Sequence, residues 1–327
     1  THQSMNNAAL FSPITKYSTE IQDPETLSEN IANAFRIAKT AKKGASFLSI
    51  PQDVTDGQVE GSAIKPLSAP KLGQANPEDI EDLVERIKEA KLPVLLLGMR
   101  ASAESETEAI RHLIAKTGLP VVETFQGAGI ISRALEDHFF GRVGLFRNQP
   151  GDMLLKRSDL VIAVGYDPIE YEARNWNAEK DARIIVIDEV PMEIDPYMQP
   201  EVELLGSIAK IIEQVTQAID QYTLSADAQN YLATLQEKLT EKQIEARGTE
   251  QTLHPLEIID TLQQKVTDEM TVTVDVGSHY IWMARHFRSY EPRHLLFSNG
   301  MQTLGVALPW GIAAALVRPN TQIISVS

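Results

Sequence analysis

Residues 271–287, TVTVDVGSHYIWMARHF, and residues 295–317, LLFSNGMQTLGVALPWGIAAALV, decide the fold of the C-terminal part of the chain. Each stretch begins with a short apolar or β-branched run typical of a buried strand, reaches a turn of small residues and continues in a helical pattern. A third strand, TQIISVS, follows at residues 321–327. Two strand–turn–helix units that lead into a third strand predict a parallel α/β sheet.

The two turns are Gly277-Ser278-His279 and Ser298-Asn299-Gly300. Because the carboxyl ends of parallel strands lie at one edge of a sheet, we expect both turns there, each opening a helix with free backbone N–H groups. Neither glycine has a Cβ to keep a ligand away, and the positive end of a helix dipole attracts anions. Together the turns predict a phosphate-ester site, whereas for each turn alone a helix-capping serine is the simpler interpretation.

Composition excludes several classes of function. The chain of 327 residues has a formal net charge of -15 and no clustered run of Lys and Arg, which argues against nucleic acid or an anionic membrane as the main partner. It has no cysteine, so disulfides and thiolate chemistry are excluded and a cytoplasmic location is expected. The most apolar run, residues 304–317, is shorter than the ~20 residues of a membrane span and is predicted to be a buried helix.

The chain divides by its local patterns. Residues 1–55 have the pattern of the end of an α/β domain, and residues 56–76, with recurring prolines and no period, predict a linker. Strands rich in Val and Ile alternate with helical patterns over residues 77–222, which predicts a doubly wound, mostly parallel sheet. Residues 223–252 predict a polar connecting helix, and residues 253–327 a third α/β unit. Since the chain begins and ends inside such units, we expect it to be truncated at both ends.

Three short stretches that follow predicted strands each allow a functional and a structural interpretation. Gly127-Ala128-Gly129 follows a predicted strand but lacks the third glycine of the dinucleotide fingerprint, which favours a packing turn over a nucleotide loop. Tyr166-Asp167-Pro168 and Asp188-Glu189 follow strand ends of the middle domain. Acidic groups in such places bind ribose in dinucleotide enzymes, but they are equally common in turns.

Four stretches, in the expected order, resemble the thiamine-diphosphate-dependent acetolactate synthases, and most closely the catabolic, flavin-independent type. They are THQSMNNAALFSPITKY at residues 1–17, SIPQDV at 49–54, DVGSHYIW at 275–282 and SNGMQTLGVALPWGI at 298–312. The resemblance covers essentially the whole chain and implies a three-domain architecture. Residues 1–55 would be the C-terminal part of the pyrimidine-binding domain, 77–222 the central Rossmann-like domain and 253–327 the N-terminal part of the diphosphate-binding domain.

The resemblance also implies site residues. The family's two cofactor-binding segments match Gly277, Ser278, His279, Gly300, Met301 and Gln302. Leu304 matches the bulky residue beneath the bent cofactor, Gln3 the active-site glutamine, and His2 the neighbour that faces the substrate. The catalytic glutamate and the metal ligands are expected outside the chain, before Thr1 and after Ser327, so we expect residues 1–327 alone to be inactive.

The activity implied is the condensation of two pyruvates to 2-acetolactate and carbon dioxide through an enamine on thiamine diphosphate, with Mg2+ and a homodimer or homotetramer. The product would feed acetoin or branched-chain amino acid synthesis. No FAD is expected, because flavin-dependent members have Lys at the position of Gln52 and an Arg-containing run at the position of residues 166–170. Alternatives are a related pyruvate decarboxylase or oxidase, and a non-catalytic nucleotide-binding module.

Overall fold

The computed structural model describes residues 5–65, 67, 70–220, 222–240 and 252–327. The chain divides into two compact units, Thr1–Leu72 and Gly73–Ser327. The described elements of the first unit are α1 (Asn7–Phe11), β1 (Tyr17–Glu20), α2 (Leu27–Lys39), β2 (Ser46–Ser49) and α3 (Gln52–Thr55).

In the first unit, β1 and β2 form a two-stranded parallel sheet, and α2 crosses from one strand to the other. Part of the predicted linker lies against this helix. The Glu60 amide donates to Glu25 Oε1 at 2.9 Å, and the Ile64 amide donates to Ser28 Oγ at 2.6 Å. Glu60 and Ile64 of this segment are therefore held by side chains at or just before the beginning of α2.

The second unit contains a large sheet and a small one. Its N-terminal part consists of α4 (Pro77–Glu89), β3 (Pro93–Leu97), α5 (Glu104–Thr117), β4 (Val121–Thr124), β5 (Phe139–Val143), α6 (Pro150–Arg157), β6 (Leu160–Val164), β7 (Arg183–Asp188), β8 (Val202–Leu205), α7 (Ile208–Ala218) and α8 (Ala226–Thr240). Its C-terminal part consists of α9 (Pro255–Lys265), β9 (Thr271–Val274), α10 (Ser278–His286), β10 (Leu295–Phe297), α11 (Ala307–Val317) and β11 (Ile323–Val326).

The large sheet is parallel, with strand order β5-β4-β3-β6-β7-β8. Alternate residues of its strands enter two separate cores, as expected for a sheet covered on both faces. Leu95 and Leu97 pack with α4, α5 and α7, whereas Val94 and Leu96 pack with α6 and α8. The predicted doubly wound parallel sheet is confirmed.

The predicted polar connecting helix is present as α8 and extends to Thr240. Residues 241–251, which the prediction also covers, lie outside the described residues. Of the helices that the structure describes, none has both the length and the apolar character needed to cross a membrane.

The small sheet has strand order β10-β9-β11, also parallel. Helix α11 packs closely on it, since a Cβ added at Gly311 would lie 2.2 Å from Ser325 Oγ. The prediction that residues 304–317 form a buried helix was wrong in two respects. The helix begins only at Ala307, and its outer side is open: Leu308, Ile312 and Leu316 are 65%, 56% and 78% exposed.

The two sheets of the second unit meet at the 127–129 turn. A Cβ added at Gly127 would lie 2.7 Å from the carbonyl oxygen of Leu97, and one at Gly129 would lie 2.0 Å from the carbonyl oxygen of Glu291. Gly129 also has φ +91°, which disfavours a side chain. The two glycines allow backbone to approach backbone, and this finding supports the packing interpretation.

A buried arginine, paired with a glutamate of the large sheet, bridges the same junction. Arg142 Nε donates to Glu123 Oε2 at 3.2 Å, and both side chains are almost fully buried. Arg142 Nη1 also donates to the carbonyl oxygen of Phe287 at 2.6 Å, where α10 ends. The large sheet thereby holds the C-terminal end of the helix that begins at Ser278.

Candidate cofactor site

The first predicted turn, Gly277-Ser278-His279, lies at the carboxyl end of β9, in residues 275–279, a segment called here the Gly277 turn. Gly277 precedes α10 with an extended backbone, and no side chain caps the helix, so the capping interpretation of Ser278 was wrong. Gly277 and Ser278 are exposed. A Cβ at Gly277 would lie 2.7 Å from His279 Cε1. The N-terminal end of α10 is therefore exposed and lies beside the imidazole of His279.

The second predicted turn is a longer segment, residues 298–306, called here the Gly300 loop. It does not open a helix at Gly300, as the sequence predicted, because α11 begins only at Ala307. Left-handed backbone at Gln302 (φ +47°) and Gly305 (φ +79°) explains the delay, since neither conformation continues a right-handed helix. Ser298 does not cap a helix either; its Oγ accepts from the Thr303 amide at 3.2 Å.

Two hydrogen bonds join the Gly277 turn and the first turn of α10 to the Gly300 loop. Asp275 Oδ1 accepts from the Gly305 amide at 2.8 Å, and it also accepts from the Val276 amide at 2.8 Å. The bond from Val276 contributes most to lowering the pKa of Asp275 below its ordinary value, with further backbone amides adding to it. Tyr280 donates its hydroxyl to Asn299 Oδ1 at 2.7 Å. The structure therefore brings the two predicted segments together.

The turn that follows β6 of the large sheet also holds the Gly300 loop. Asn299, which is buried, donates from Nδ2 to the carbonyl oxygen of Glu170 at 2.8 Å. The Glu170 carboxylate is buried as well and accepts from Thr124 Oγ1 at 2.6 Å and from the Met99 amide at 3.0 Å. Burial raises the pKa of Glu170 to about 7, against the opposing effect of these hydrogen bonds. A group that titrates near neutral pH therefore lies directly behind the loop.

The predicted site residues of the Gly300 loop point outward. Met301 is 85% exposed, Leu304 is 74% exposed, and Gln302 is exposed as well. Large apolar side chains in this state are available to a ligand. His2 and Gln3, the other two predicted catalytic positions, lie outside the described residues.

The local chemistry fits a diphosphate at the Gly277 turn. His279 Nε2 is buried and has no hydrogen-bond partner among the described residues. Together with the free amides of α10 it offers donors where glycine leaves room for an anion. In the part of the chain that the structure describes, no group of three His, Cys, Asp or Glu side chains is arranged to hold a metal ion.

A second candidate position is the crevice of the large sheet, where the strand order reverses between β3 and β6 and where dinucleotides bind in such folds. Its acidic groups are already paired. Arg100 donates to Asp188 from Nε at 2.8 Å and from Nη2 at 2.6 Å, and to Asp167 from Nη1 at 2.9 Å. Asp188 and Asp167 are therefore engaged by a guanidinium, which the sequence alternatives of a ribose ligand or a simple turn did not anticipate.

Sequence patterns missed Asp275, Tyr280 and Asn299 as residues that organise the site. Asp275 and Asn299 stand beside the predicted glycines, so their positions next to strand ends were the available signal. Their partners are 30 and 19 residues away along the chain, and only the fold shows these pairings.

Comparison with known families agrees with this geometry. Residues 80–215 match the model of the thiamine pyrophosphate enzyme central domain, and residues 275–327 match the C-terminal TPP binding domain of the same enzymes. The second match begins at Asp275 and contains the whole of the Gly277 turn and the Gly300 loop.

Curated relatives are similar along the entire chain. The chain is 48% identical to the acetolactate synthase of Bacillus subtilis (strain 168) and 39% identical to the catabolic acetolactate synthase of Raoultella terrigena, over 100% of its length in both cases. It is 26% identical to a probable acetolactate synthase large subunit of Methanococcus aeolicus over 99% of its length. The chain spans 58% of the length of each of the first two relatives.

Proposed function

Because this chain belongs to the thiamine pyrophosphate enzymes, we propose that the protein is an acetolactate synthase that condenses two pyruvates to 2-acetolactate and carbon dioxide. One structural observation carries the proposal. The Gly277 turn and the Gly300 loop are joined through Asp275 and Asn299 at one sheet edge, beside His279 Nε2, which has no hydrogen-bond partner in the described part of the chain. This arrangement suits the diphosphate end of thiamine diphosphate.

In the proposed site each segment has its own task. The amides of Gly277, Ser278 and His279 would bind the diphosphate, and Gly300, Met301 and Gln302 would line the cofactor near its reactive ring. The bound cofactor supplies an electron sink for the decarboxylation of pyruvate. Leu304 would support its bent shape, while Met301 and Leu304 would cover the ring and exclude water. We propose that His2 and Gln3 face the substrate.

We propose that the protein works without a flavin. The support comes from the crevice of the large sheet. There Arg100 forms ion pairs with Asp188 and Asp167, the acidic groups that would otherwise accept hydrogen bonds from a ribose. The measurement is the visible absorbance of the purified full-length protein and its titration with FAD. Stoichiometric FAD binding, or activity that requires FAD, would contradict this part of the proposal.

The remaining assignments rest on the similarity to acetolactate synthases. We propose Mg2+ as the ion that neutralises the diphosphate, a homodimer or homotetramer as the assembly, and the cytoplasm as the location. We also propose the domain boundaries 1–55, 56–76, 77–222, 223–252 and 253–327, with the connecting helix in the fourth segment. Acetoin and branched-chain amino acid synthesis are the two proposed uses of the product.

Product analysis tests the reaction. The full-length protein is incubated with pyruvate, thiamine diphosphate and Mg2+, and the products are separated. Acetolactate is the expected product; acetaldehyde or acetyl phosphate would instead indicate the decarboxylase or oxidase alternative. Binding of NAD without any dependence of function on thiamine diphosphate would favour a nucleotide-binding module. Acetolactate formed by residues 1–327 alone would contradict the expectation that this part is inactive.

A further inference from the structure

A cavity of about 500 Å3 lies between the two sheets of the second unit and is separate from the residues assigned above. Met99 and Gln126 line it from the large sheet, Trp310 and Val317 from α11, and Arg293 and Arg318 from the two ends of the β10–α11 segment. None of its lining residues belongs to the Gly277 turn or to the Gly300 loop. Its volume is within the ~300–1,000 Å3 of typical small-molecule sites.

Most of the wall is apolar. Strand β10 forms one side, and successive turns of α11 form the other, through Trp310, Ala314 and Val317. Trp310 is half-buried, so part of its ring surface is open to an occupant. Such a wall favours an aromatic or branched hydrocarbon body.

The cavity is cationic at one end. Arg318 is held in place, because its Nη1 donates to Thr271 Oγ1 at 2.5 Å and to the carbonyl oxygen of Arg293 at 3.0 Å. The guanidinium of Arg293 is exposed and forms no hydrogen bond or ion pair with a described residue. Burial first, and then the charge of Arg293, lower the pKa of Arg318. The two guanidinium groups therefore repel each other.

No carboxylate is found among the described residues that line the cavity. The formal net charge of the chain is -15, and carboxylates outnumber cations in it. Two neighbouring arginines in a cavity without a lining carboxylate are therefore unusual in this chain. A bound anion would relieve the repulsion between the guanidinium groups and would satisfy their free N–H donors, to which carboxylates bind in pairs.

We propose that this cavity binds a small organic carboxylate with a compact aromatic or branched apolar body. The carboxylate would lie against Arg293 and Arg318, and the body would lie against Trp310. This inference does not rest on the proposed function, because it uses neither the cofactor nor any residue of its site.

The test compares an anion with a neutral molecule of the same shape. The full-length protein is titrated by calorimetry with 1-naphthylacetate and with 1-naphthylacetamide. We expect the carboxylate to bind roughly tenfold more tightly than the amide, because the amide cannot form the charge-assisted hydrogen bonds. The affinity for the carboxylate should fall as salt is added, since salt screens the attraction between the charges. Equal affinities for the two molecules would overturn the proposal.

Variants locate the binding. Arg293→Gln should lower the affinity for 1-naphthylacetate by roughly tenfold or more. Lys88→Gln, which removes one charge from the exposed side of α4, should leave this affinity unchanged. Ala314→Phe should abolish binding by filling the cavity. The fluorescence change on binding should disappear in Trp310→Phe. Binding of the anion that is unchanged in Arg293→Gln and in Ala314→Phe would overturn the assignment of the site.

Discussion

Tyr280 donates its hydroxyl to the amide oxygen of Asn299 at 2.7 Å, and so connects the helix that begins after Gly277 to the loop that contains Gly300. The amide nitrogen of Asn299 donates to the carbonyl oxygen of Glu170, which lies in the turn after β6. One buried side chain thus fixes the loop to both of its neighbours. The arrangement of the site depends on this amide more directly than on the exposed residues that would contact the cofactor.

Tyr280→Phe should loosen the loop. The change leaves Asn299 Oδ1 buried without its donor, which costs about 1–3 kcal/mol of unfolding free energy. We expect a comparable loss in the binding of thiamine diphosphate by the full-length protein, measured by titration beside urea unfolding. Tyr231→Phe is the control, because Tyr231, on helix α8, donates its hydroxyl to the carbonyl oxygen of Met153 and lies outside the candidate site. Unchanged affinity in Tyr280→Phe would contradict the positioning role.

Glu170→Gln should change how stability depends on pH. The folded pKa of Glu170 is raised from 4.5 to about 7 by burial, so its contribution to stability is complete below pH 4.5 and is lost as the pH rises to about 7. The loss amounts to at most about 3 kcal/mol. Glutamine stays neutral at every pH. The unfolding free energy of the variant, measured in urea, should therefore rise relative to that of the wild type across this interval.

The control for this experiment is Glu172→Gln. Glu172 is an exposed neighbour that pairs with the exposed Arg174, and its replacement should change stability only slightly across the same interval. Parallel pH profiles for the wild type and Glu170→Gln would show that the buried carboxylate does not titrate as inferred.

Gly129→Ala should destabilise the second unit. The new methyl group would lie 2.0 Å from the carbonyl oxygen of Glu291, in a backbone conformation with φ +91°. We expect a loss of at least about 2 kcal/mol of unfolding free energy. Gly73→Ala meets no atom within 4 Å and should change stability by less than about 1 kcal/mol. Similar unfolding curves for the two variants would refute the close approach at the junction.

Leu304→Ala should lower turnover without lowering the stability of the fold. Leu304 is 74% exposed, so its loss should change unfolding free energy by less than about 0.5 kcal/mol. If it supports the bent cofactor, the rate of acetolactate formation should fall much more than the affinity for thiamine diphosphate. Leu316→Ala, equally exposed at the other end of α11, serves as the control. A Leu304→Ala enzyme with wild-type turnover would count against the assigned role.

The strands were predictable because buried parallel strands have a strong local signal. The runs at β3, β6 and β7 are almost wholly Val, Ile and Leu, and each is followed by Gly or Asp. The turn at Gly277 was predictable for the same reason. The Gly300 loop was not, since SNG is as compatible with a helix start as with the left-handed backbone at Gln302 and Gly305 that delays α11.

Helix α11 shows a different limit of the sequence. Its residues are apolar on every side, so no periodicity indicates which side packs. Gly311 identifies the packed side only once Ser325 is known to lie beneath it. The pairing of Arg100 with Asp188 is equally hidden, because 88 residues separate the two and neither has a local motif.

The guanidinium shared by Asp167 and Asp188 has an evolutionary consequence. Losing Arg100 leaves two buried carboxylates without their shared partner, which is far more harmful than replacing the three groups as a set. Homologues that change Arg100 should therefore also change Asp167 and Asp188, so that positions 100, 167 and 188 should covary. A lineage that acquires a nucleotide in this crevice would have to pass through an unstable intermediate sequence or compensate elsewhere first.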